Sequence, residues 1–543
     1  MNCKPYSFFV LSLLSACLLS AGFLFPHCGG FALIGFFPLL WMDRIASREN
    51  QKRFFWWHYL TFVLWNAFTT FWVCNATVAG GIGAILANAL QMSVIWALFR
   101  LFKRRFKSSL PYIFLACAWI AWERFYFDAE ISWPWLTLGN AFAQSHSCIQ
   151  WYEATGTIGG SLWIWICNLG IFGLSVALQE GKWAKFNKKA RFASVAALIL
   201  AIAGPLAWSW IRYATLSENV EGRIKVCLLQ PNLDPYQKFQ VLSQTEQDEV
   251  ITELIGAENQ SADSSEVILF VAPEAITNDI VLNRPGDSRT VYSFHKAISA
   301  IPYANMLFGA STYEFYMQED APSYTARSAG DGVWYENHNT AVMIDNSPRM
   351  EFYHKSRLVI GTEKMPYPRI TNGIENALGG NLLGHCIGQE EVSLLNVTKC
   401  GSPADSEPIG CAVCYESIYP EHFASYVAAG AKAMTVITND AWWGDTPGYR
   451  QHLSYSQLRA IETRRDIARS ANTGISAFIN QRGDLVSNTA WWERCTLNGE
   501  TNLSTHITPF VKYGDVTGRL CTFLFLLLVF ALGVNLITRK RAR

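Results

Sequence analysis

From Met1 to about Tyr213 the chain alternates long apolar runs with short basic clusters. From about Glu218 to Tyr513 it changes to the short apolar–polar alternations of an aqueous domain. A last apolar run, Leu520 to Ile537, ends in Arg539, Lys540, Arg541 and Arg543. A helix needs roughly 20 apolar residues to cross the hydrocarbon core. That length predicts spans near 7–25, 29–45, 54–74, 80–102, 110–127, 157–178, 192–213 and 518–537. The second is short and contains Pro38. Trp56, Trp57, Trp72, Trp208 and Trp210 lie near span ends, where indole favours the interface. His58, Asn66, Asn88, Glu123 and Arg124 interrupt the runs. Charges in a bilayer are costly, so the adjacent Glu123 and Arg124, near a span end, are expected at the interface. Such groups are too few and too shallow for a transport path. "LSAC", Leu14 to Cys17, has the form of a lipoprotein processing site. With only Lys4 as a charged leader, the run reads as an ordinary first helix.

Basic clusters at Arg44–Arg53, Arg100–Lys107, Lys182–Arg191 and Arg539–Arg543 follow spans two, four, six and eight. The intervening loops are poor in Lys and Arg. With eight spans the positive-inside rule places every cluster in the cytoplasm. Both termini are then inside, and the long segment between spans seven and eight is outside. The expected organisation is a bundle of seven helices over 1–217, an extracytoplasmic domain over 218–513, and a last span with a basic tail over 514–543.

Within the aqueous segment, "RIKVCLL" (223–229), "VILFV" (267–271), "MLFGAS" (306–311), "NTAVMID" (339–345), "IGCAVC" (409–414), "AMTVIT" (433–438) and "ISAFIN" (475–480) predict strands. Gln244–Glu258 and His452–Ser470 predict helices, and Gln318–Asp331 and Thr371–Asn376 surface excursions. Strands interleaved with helices point to an α/β layered domain. Composition agrees with a mixed membrane and aqueous protein: 16% of the 543 residues are charged, with 21 Trp and 34 Phe. A formal net charge of +1 argues against a nucleic-acid binder, which carries a basic excess.

Catalytic groups often emerge where a buried strand ends. "VILFVAPEAIT" delivers Glu274, "EFYHKSRLVIGTEKMPYP" delivers Lys355, and "GCAVCYES" delivers Cys414. An acid/base, a cation and a thiol are the parts for covalent acyl transfer. Taken singly, each has a bland reading: a loop carboxylate, a solvated ammonium, a small buried hydrophobe. Cys411 and Cys414 also spell C-x-x-C, but inside a predicted strand, whereas the redox motif belongs at a helix N-terminus. An odd offset puts these two on opposite faces of a strand. No second pair or histidine stands at zinc-ligand spacing, so no metal is expected. Cys386, Cys400 and Cys495 are the better disulfide candidates.

"CYES" after an apolar strand, followed by "TNDAWWGDTPGYRQHLSYSQLRAIETRRDIARSANTGISAFINQRGDLV", resembles the carbon–nitrogen hydrolase (nitrilase) superfamily. Together with "SWPWLTLGN" (132–140) it is similar, more narrowly, to the bacterial apolipoprotein N-acyltransferase family. The resemblance implies a helical membrane bundle carrying a nitrilase-like α/β sandwich. It also implies a Glu–Lys–Cys triad falling on Glu274, Lys355 and Cys414, supported by Tyr415, Glu416 and Glu363. Departures are "LVIGTE" (358–363) where the family has a Pro-Phe pair, "APEA" for "WPES", and Phe239 in place of a tryptophan.

The implied chemistry is acyl transfer without a cofactor. Cys414 attacks a phospholipid ester, Glu274 moves the proton, and Lys355 with a backbone N–H holds the oxyanion. An unperturbed thiol, near 8.5, is mostly protonated at neutral pH and needs such help. The implied donor is a phospholipid, phosphatidylethanolamine in the family. The acceptor is the α-amine of a diacylglyceryl apolipoprotein, at the periplasmic side of the bacterial inner membrane, and the protein is expected to be a monomer. Phe239, Trp442 and Trp443 are candidates to line an acyl path, while Trp491 and Trp492 are expected in the core. A membrane-anchored amidase uses the same triad and stays open as an alternative, as does a non-enzymatic membrane receptor or transporter.

Overall fold

The computed structural model describes residues 5–235, 241–259, 268–371, 384–399 and 402–541. The chain divides into two compact units, Met1–Leu216 with Tyr513–Arg543, and Ser217–Lys512.

In the first unit a helix lies on each predicted apolar run: Pro5–Leu24, Phe37–Arg48, Phe54–Thr70, Val78–Arg105, Leu110–Asp128, Tyr152–Gln179, Lys188–Thr215 and Val516–Arg541. Among the described residues, six stretches are long and apolar enough to cross a membrane. The other two are Phe54–Thr70, only 17 residues long, and Leu110–Asp128, which carries Glu123, Arg124 and Asp128. The second run is broken at Phe36, just before Pro38, and Asn168 mends the break. Its Oδ1 accepts from Phe36 N–H at 2.8 Å and its Nδ2 donates to the Ala32 carbonyl at 2.8 Å. Leu14 to Cys17 lies within the unbroken first helix.

Two expectations are corrected here. Glu123 is buried, not interfacial: its Oε1 accepts from Trp119 Nε1 (3.0 Å) and Leu138 N–H (2.8 Å), which replace water at that oxygen. Trp72 is fully buried against Trp135, with centroids 4.8 Å apart. Basic clusters converge at one end of this unit. Arg48 (2.9 Å), Lys182 (2.8 Å) and Arg44 all pair with Glu180. Asp43 pairs with Lys103 (2.6 Å) and Arg100 (3.3 Å).

The second unit is built on two sheets. Its strands are β1 (Gly222–Gln230), β2 (Ile268–Val271), β3 (Thr277–Val281), β4 (Ala304–Met317), β5 (Arg327–Gly330), β6 (Val333–Asp345) and β7 (Met350–His354). They continue with β8 (Leu395–Lys399), β9 (Ser402–Val413), β10 (Ala433–Thr438), β11 (Ile467–Ala471), β12 (Ala477–Ile479), β13 (Leu485–Asn488) and β14 (Cys495–Leu503). One sheet runs β14-β1-β2-β4-β6-β5, with β3 on β4 and β7 on β6; the other runs β13-β12-β11-β10-β9-β8. Strand alternation sorts the core. Leu228, Val271, Leu307 and Met343 pack toward Cys411, Val413 and Val436 of the facing sheet. Leu229, Phe270, Phe308 and Val342 pack toward the helices Gln244–Asn259 and Arg289–Ile298. The result is a helix–sheet–sheet–helix sandwich, the α/β layering expected from the pattern.

The stretch 452–470 is not one helix. The helix Pro447–Thr463 ends at Arg464, with φ 50°, and Ile467–Ala471 is a fully buried strand parallel to β10. A short buried strand has no alternation by which to separate it from a buried helix. Cys386 and Cys495 are free thiols. Cys495 opens β14 opposite Gln230, and Cys386 bridges Asn337 at the edge of β6, so each sits where its own strand pairing puts it. Cys400, Phe239 and residues 372–376 fall outside the described residues, while Gln318–Asp331 is largely exposed, as expected.

Candidate active site

Glu274 stands just past β2, in a loop sewn to β4. Ala272 N–H donates to the Leu307 carbonyl (2.8 Å), Gly309 N–H to Pro273 (3.1 Å) and Ile276 N–H to Gly309 (2.8 Å). This close approach requires glycine: a Cβ on Gly309 would sit 2.5 Å from the Glu274 Cα. Ala275, the next residue, takes φ 49°, a left-handed turn in the loop that leaves Glu274.

Lys355 follows β7, and its N–H donates to the Asn339 carbonyl at 2.7 Å. Its Nζ donates to Glu274 Oε1 at 2.9 Å and to Glu363 Oε1 at 2.8 Å. Asn339 Nδ2 bridges the same two carboxylates, at 2.8 and 2.6 Å. The "LVIGTE" loop closes on itself: Glu363 Oε2 accepts from Val359 N–H at 2.7 Å, and Gly361 takes φ 87°. That turn brings Glu363 to Lys355 without the family's proline and phenylalanine.

Cys414 leaves the end of β9 with φ 51°, in the left-handed region that side chains other than glycine seldom occupy. The period-two alternation therefore stops at Val413, and the odd offset from Cys411 does not set the direction of Cys414. Glu416 holds the turn. One oxygen accepts from Tyr353 O–H (2.6 Å), Ser356 N–H (2.7 Å) and Arg357 N–H (3.1 Å), and the other from Val413 N–H (2.8 Å). One carboxylate thus ties the turn at Cys414 to the segment just after Lys355.

The electrostatics describe a resting site. Burial, then Glu274, pushes the Cys414 thiol well above its ordinary value, and the Lys355 charge only partly opposes this. Burial alone would lower Lys355, but Glu274, Glu363 and Cys414 hold it well above the usual lysine value. The thiol is therefore protonated and the amine charged, with the Glu274 carboxylate beside them. For Glu416, burial is outweighed by His422, Tyr353 and Val413 N–H, and its acidity rises.

Sequence reasoning missed a second buried array behind Cys414. His452 Nδ1 lies 2.9 Å from Asp440 Oδ1, and its Nε2 lies 3.0 Å from the Cys414 carbonyl and 2.9 Å from Ser417 Oγ. Arg469 donates to Asp440 Oδ2 at 2.5 Å, and Thr438 O–H to Oδ1 at 2.8 Å. Cys414, Asp440 and His452 thus come within 4.8 Å of one another, a grouping that linear spacing conceals. Both ring nitrogens of His452 are already engaged, so the array braces the turn instead of presenting a vacant metal ligand. The only hint in the sequence was that Asp440, His452 and Arg469 fall in the quoted "NDAWWGD"-to-"RSANTG" block. Asn339 was concealed as the first residue of a strand pattern.

Of the supporting candidates, Tyr415 is buried and meets Tyr419 edge-on, centroids 5.3 Å apart. Trp442 and Trp443 are half-buried in the turn after β10, with Trp443 edge-on to His452 at 5.5 Å. Trp491 and Trp492 are not core. Trp491 is half-buried and stacks on Tyr449 at 4.1 Å, and Trp492 is 45% exposed in a left-handed turn with φ 62°. Cys411 stays in the core, its thiol pushed up to about 12 by burial. Cys386 is likewise raised to about 12, by burial and then by Glu363.

Residues 15–170 match the family described as apolipoprotein N-acyltransferase N-terminal domain, and residues 320–507 match carbon-nitrogen hydrolase. The chain is 28% identical over 533 residues to the apolipoprotein N-acyltransferase of Chlorobaculum tepidum, covering 94% of each. It is 25% identical over 531 residues to that of Geobacter metallireducens, covering 95% of this chain and 94% of the relative. Among solved structures, Saccharomyces cerevisiae Nit3, of the nitrilase superfamily, aligns with a TM-score of 0.37 and 13% identity over 53% of this chain and 93% of that one. A mutant amidase from Nesterenkonia sp. AN1 aligns at 0.34 and 14% identity, over 56% and 98%.

Proposed function

Because the chain belongs to the apolipoprotein N-acyltransferase family of the carbon–nitrogen hydrolases, we propose that Cys414, Glu274 and Lys355 carry its N-acylation of lipoproteins through a cysteine thioester. The observation that carries this reading is the Lys355 ammonium held between Glu274 and Glu363, in one buried cluster with Cys414.

The Cys414 thiol is protonated at rest, so its attack requires a base. Glu274 takes the proton as sulfur bonds to the ester carbonyl of a phospholipid. An ammonium has three donors. Two of Lys355's are taken by carboxylates, and the third serves the developing oxyanion together with Tyr415 N–H. Collapse breaks the C–O bond, Glu274 protonates the departing lysophospholipid alcohol, and the thioester remains. The free α-amine of the lipidated N-terminal cysteine then attacks. Glu274 accepts its proton and returns it to sulfur as the C–S bond breaks, which regenerates the thiol beside a new amide. Two moderate steps replace direct attack of an amine on an ester. Phosphatidylethanolamine is the proposed donor, and the outer face of the bacterial inner membrane the proposed place. Flanking spans tether the catalytic domain to the membrane that carries both substrates, a gain in effective concentration. The protein acts as a monomer, and Trp442 and Trp443 contribute to an acyl-chain path.

Intact-protein mass spectrometry after incubation with phospholipid tests the scheme. The expected result is an acyl-sized, hydroxylamine-labile mass gain, absent in Cys414→Ser. Acylated lipoprotein formed by Cys414→Ser, or ammonia release from small amides with no lipoprotein product, overturns it.

A further inference from the structure

The reverse face of the sheet that carries Asn339 holds a cluster the acyl-transfer chemistry does not use. β4 and β6 pair antiparallel with Glu314 directly opposite Glu336. Met306, Phe308 and Ala310 of β4, with Val342 and Ile344 of β6, pack on the helix side, whereas Ala341 and Met343 face the other sheet. Side chains alternate along a strand. Glu314, Glu336 and His338 therefore share the helix-side face, while Asn339 projects from the other face toward Glu274. Like charges directly opposite each other destabilise a strand pair. Among the described residues neither glutamate pairs with a lysine or arginine. The Tyr316 hydroxyl lies beside both carboxylates and donates to Glu336 Oε2 at 3.1 Å.

His338 supplies the second observation. It is only 7% exposed, and its Nδ1 lies 3.1 Å from the Ile387 carbonyl, which fixes the proton on that nitrogen. Nε2 is left with a lone pair and has no hydrogen-bond partner. Carboxylate oxygens of both glutamates and a ring nitrogen of His338 lie within 4.8 Å of one another.

Two uncompensated carboxylates and a buried imidazole lone pair, its other nitrogen donating to a backbone carbonyl, form the donor set of a divalent cation site. We propose that Glu314, Glu336 and His338 bind a first-row divalent cation, with Zn²⁺ the best match to mixed nitrogen and oxygen donors. The ion neutralises the opposed glutamates and draws in donors to the roughly 2.0–2.2 Å of such bonds. It also pins β4 to β6 next to His354, whose ring lies on His338 with centroids 4.4 Å apart and which precedes Lys355. The role is structural and separate from the thiol chemistry.

Zn²⁺ titrated calorimetrically into chelator-treated, detergent-solubilised full-length protein tests this. A Cys414→Ser background removes the thiol of the Cys414–Asp440–His452 group as a competing ligand. One Zn²⁺ per chain at micromolar affinity or tighter is expected, with a raised unfolding temperature. Glu314→Gln, at a partly exposed position that tolerates an isostere, and His338→Asn should each weaken binding by about tenfold or more. Equal binding by the Glu314→Gln/His338→Asn double variant, with its fold verified by thermal unfolding, overturns the site. So does the absence of binding at millimolar Zn²⁺.

Discussion

Glu416 takes no part in the proposed chemistry, yet its loss should be costly to it. Four hydrogen bonds from Tyr353, Ser356, Arg357 and Val413 converge on its two oxygens within 3.1 Å. Glu416→Gln turns one acceptor into a donor facing donors, which leaves buried N–H groups unsatisfied at about 1–3 kcal/mol each. The expected outcome is a fall in kcat of about a hundredfold, with KM for phospholipid nearly unchanged, because a misplacement of about 1 Å has that effect. Single-turnover acyl-enzyme formation measures it. Lys355→Met tests the oxyanion: acyl-enzyme formation should drop about 10²–10³-fold while the chain stays folded, as checked by thermal unfolding. The proposed triad residues were legible in the sequence because Glu274 and Cys414 follow buried apolar runs and Lys355 follows a strand pattern, local signals that the family resemblance joined. Asn339, Asp440 and His452 were not, because what they touch is decided by register between strands far apart in the chain. Asn339 contacts Glu274 across 65 positions, and His452 reaches the Cys414 carbonyl across 38.

At the scale of elements, the site depends on how tightly β4, β11 and the turn after β9 are drawn together. Gly309→Ala inserts a methyl group against the backbone at Glu274, which cannot yield as a flexible side chain would. Overpacking of this kind costs about 1–3 kcal/mol. Activity should fall further than stability does, since the displaced residue is the proposed base; parallel measurements of kcat and unfolding temperature separate the two. Asp440 joins β10, β11 and the helix Pro447–Thr463 through Thr438, Arg469 and His452. Burial would raise its pKa, but Arg469 and His452 bring it from 3.8 down to about 2. A depressed folded-state value contributes stability that is present above pH 3.8 and lost as the pH falls toward 2, roughly 2 kcal/mol in all. The unfolding temperature of the wild type should therefore drop between pH 4 and pH 2 more steeply than that of Asp440→Asn. At neutral pH that variant should be several kcal/mol less stable, with Arg469 buried and unpaired. Strands β1, β2, β4, β6 and β10 were legible from apolar runs or alternation. β11 was not, because a five-residue strand buried on both faces continues the pattern of the helix before it, and Arg469 within it looks like a surface charge until Asp440 is seen beside it.

At the scale of the whole molecule, the placement of the charges supports the proposed sidedness of the second unit. Arg44 and Arg48, 136 and 132 positions before Glu180, meet Lys182 on that carboxylate, and Asp43 gathers Arg100 and Lys103. Clusters that follow the second, fourth and sixth runs therefore share one end of the helical unit, as an even number of crossings between them requires. By the positive-inside rule we propose that this end is cytoplasmic. On the topology proposed from the charges, one further crossing by Lys188–Thr215 would carry the chain to the opposite side before Ser217, and Val516–Arg541 would return it. Alkaline phosphatase inserted in the exposed stretch near Asp320 should therefore be active, since that enzyme needs an oxidising compartment for its disulfides. Insertions near Lys185 or after Arg541 should be inactive. Neutralising Lys182, Lys185, Lys188, Lys189 and Arg191 together should erode this contrast, because the rule acts through Lys and Arg near span ends. An active reporter near Lys185 in the native sequence would reverse the topology, and the lipid leaflet proposed for the thioester with it. On the proposed outward face, an oxidising compartment would favour a nucleophile held in a buried site. Cys411, three residues from Cys414, is kept from pairing with it by burial in the core, where its thiol is too weakly acidic to exchange.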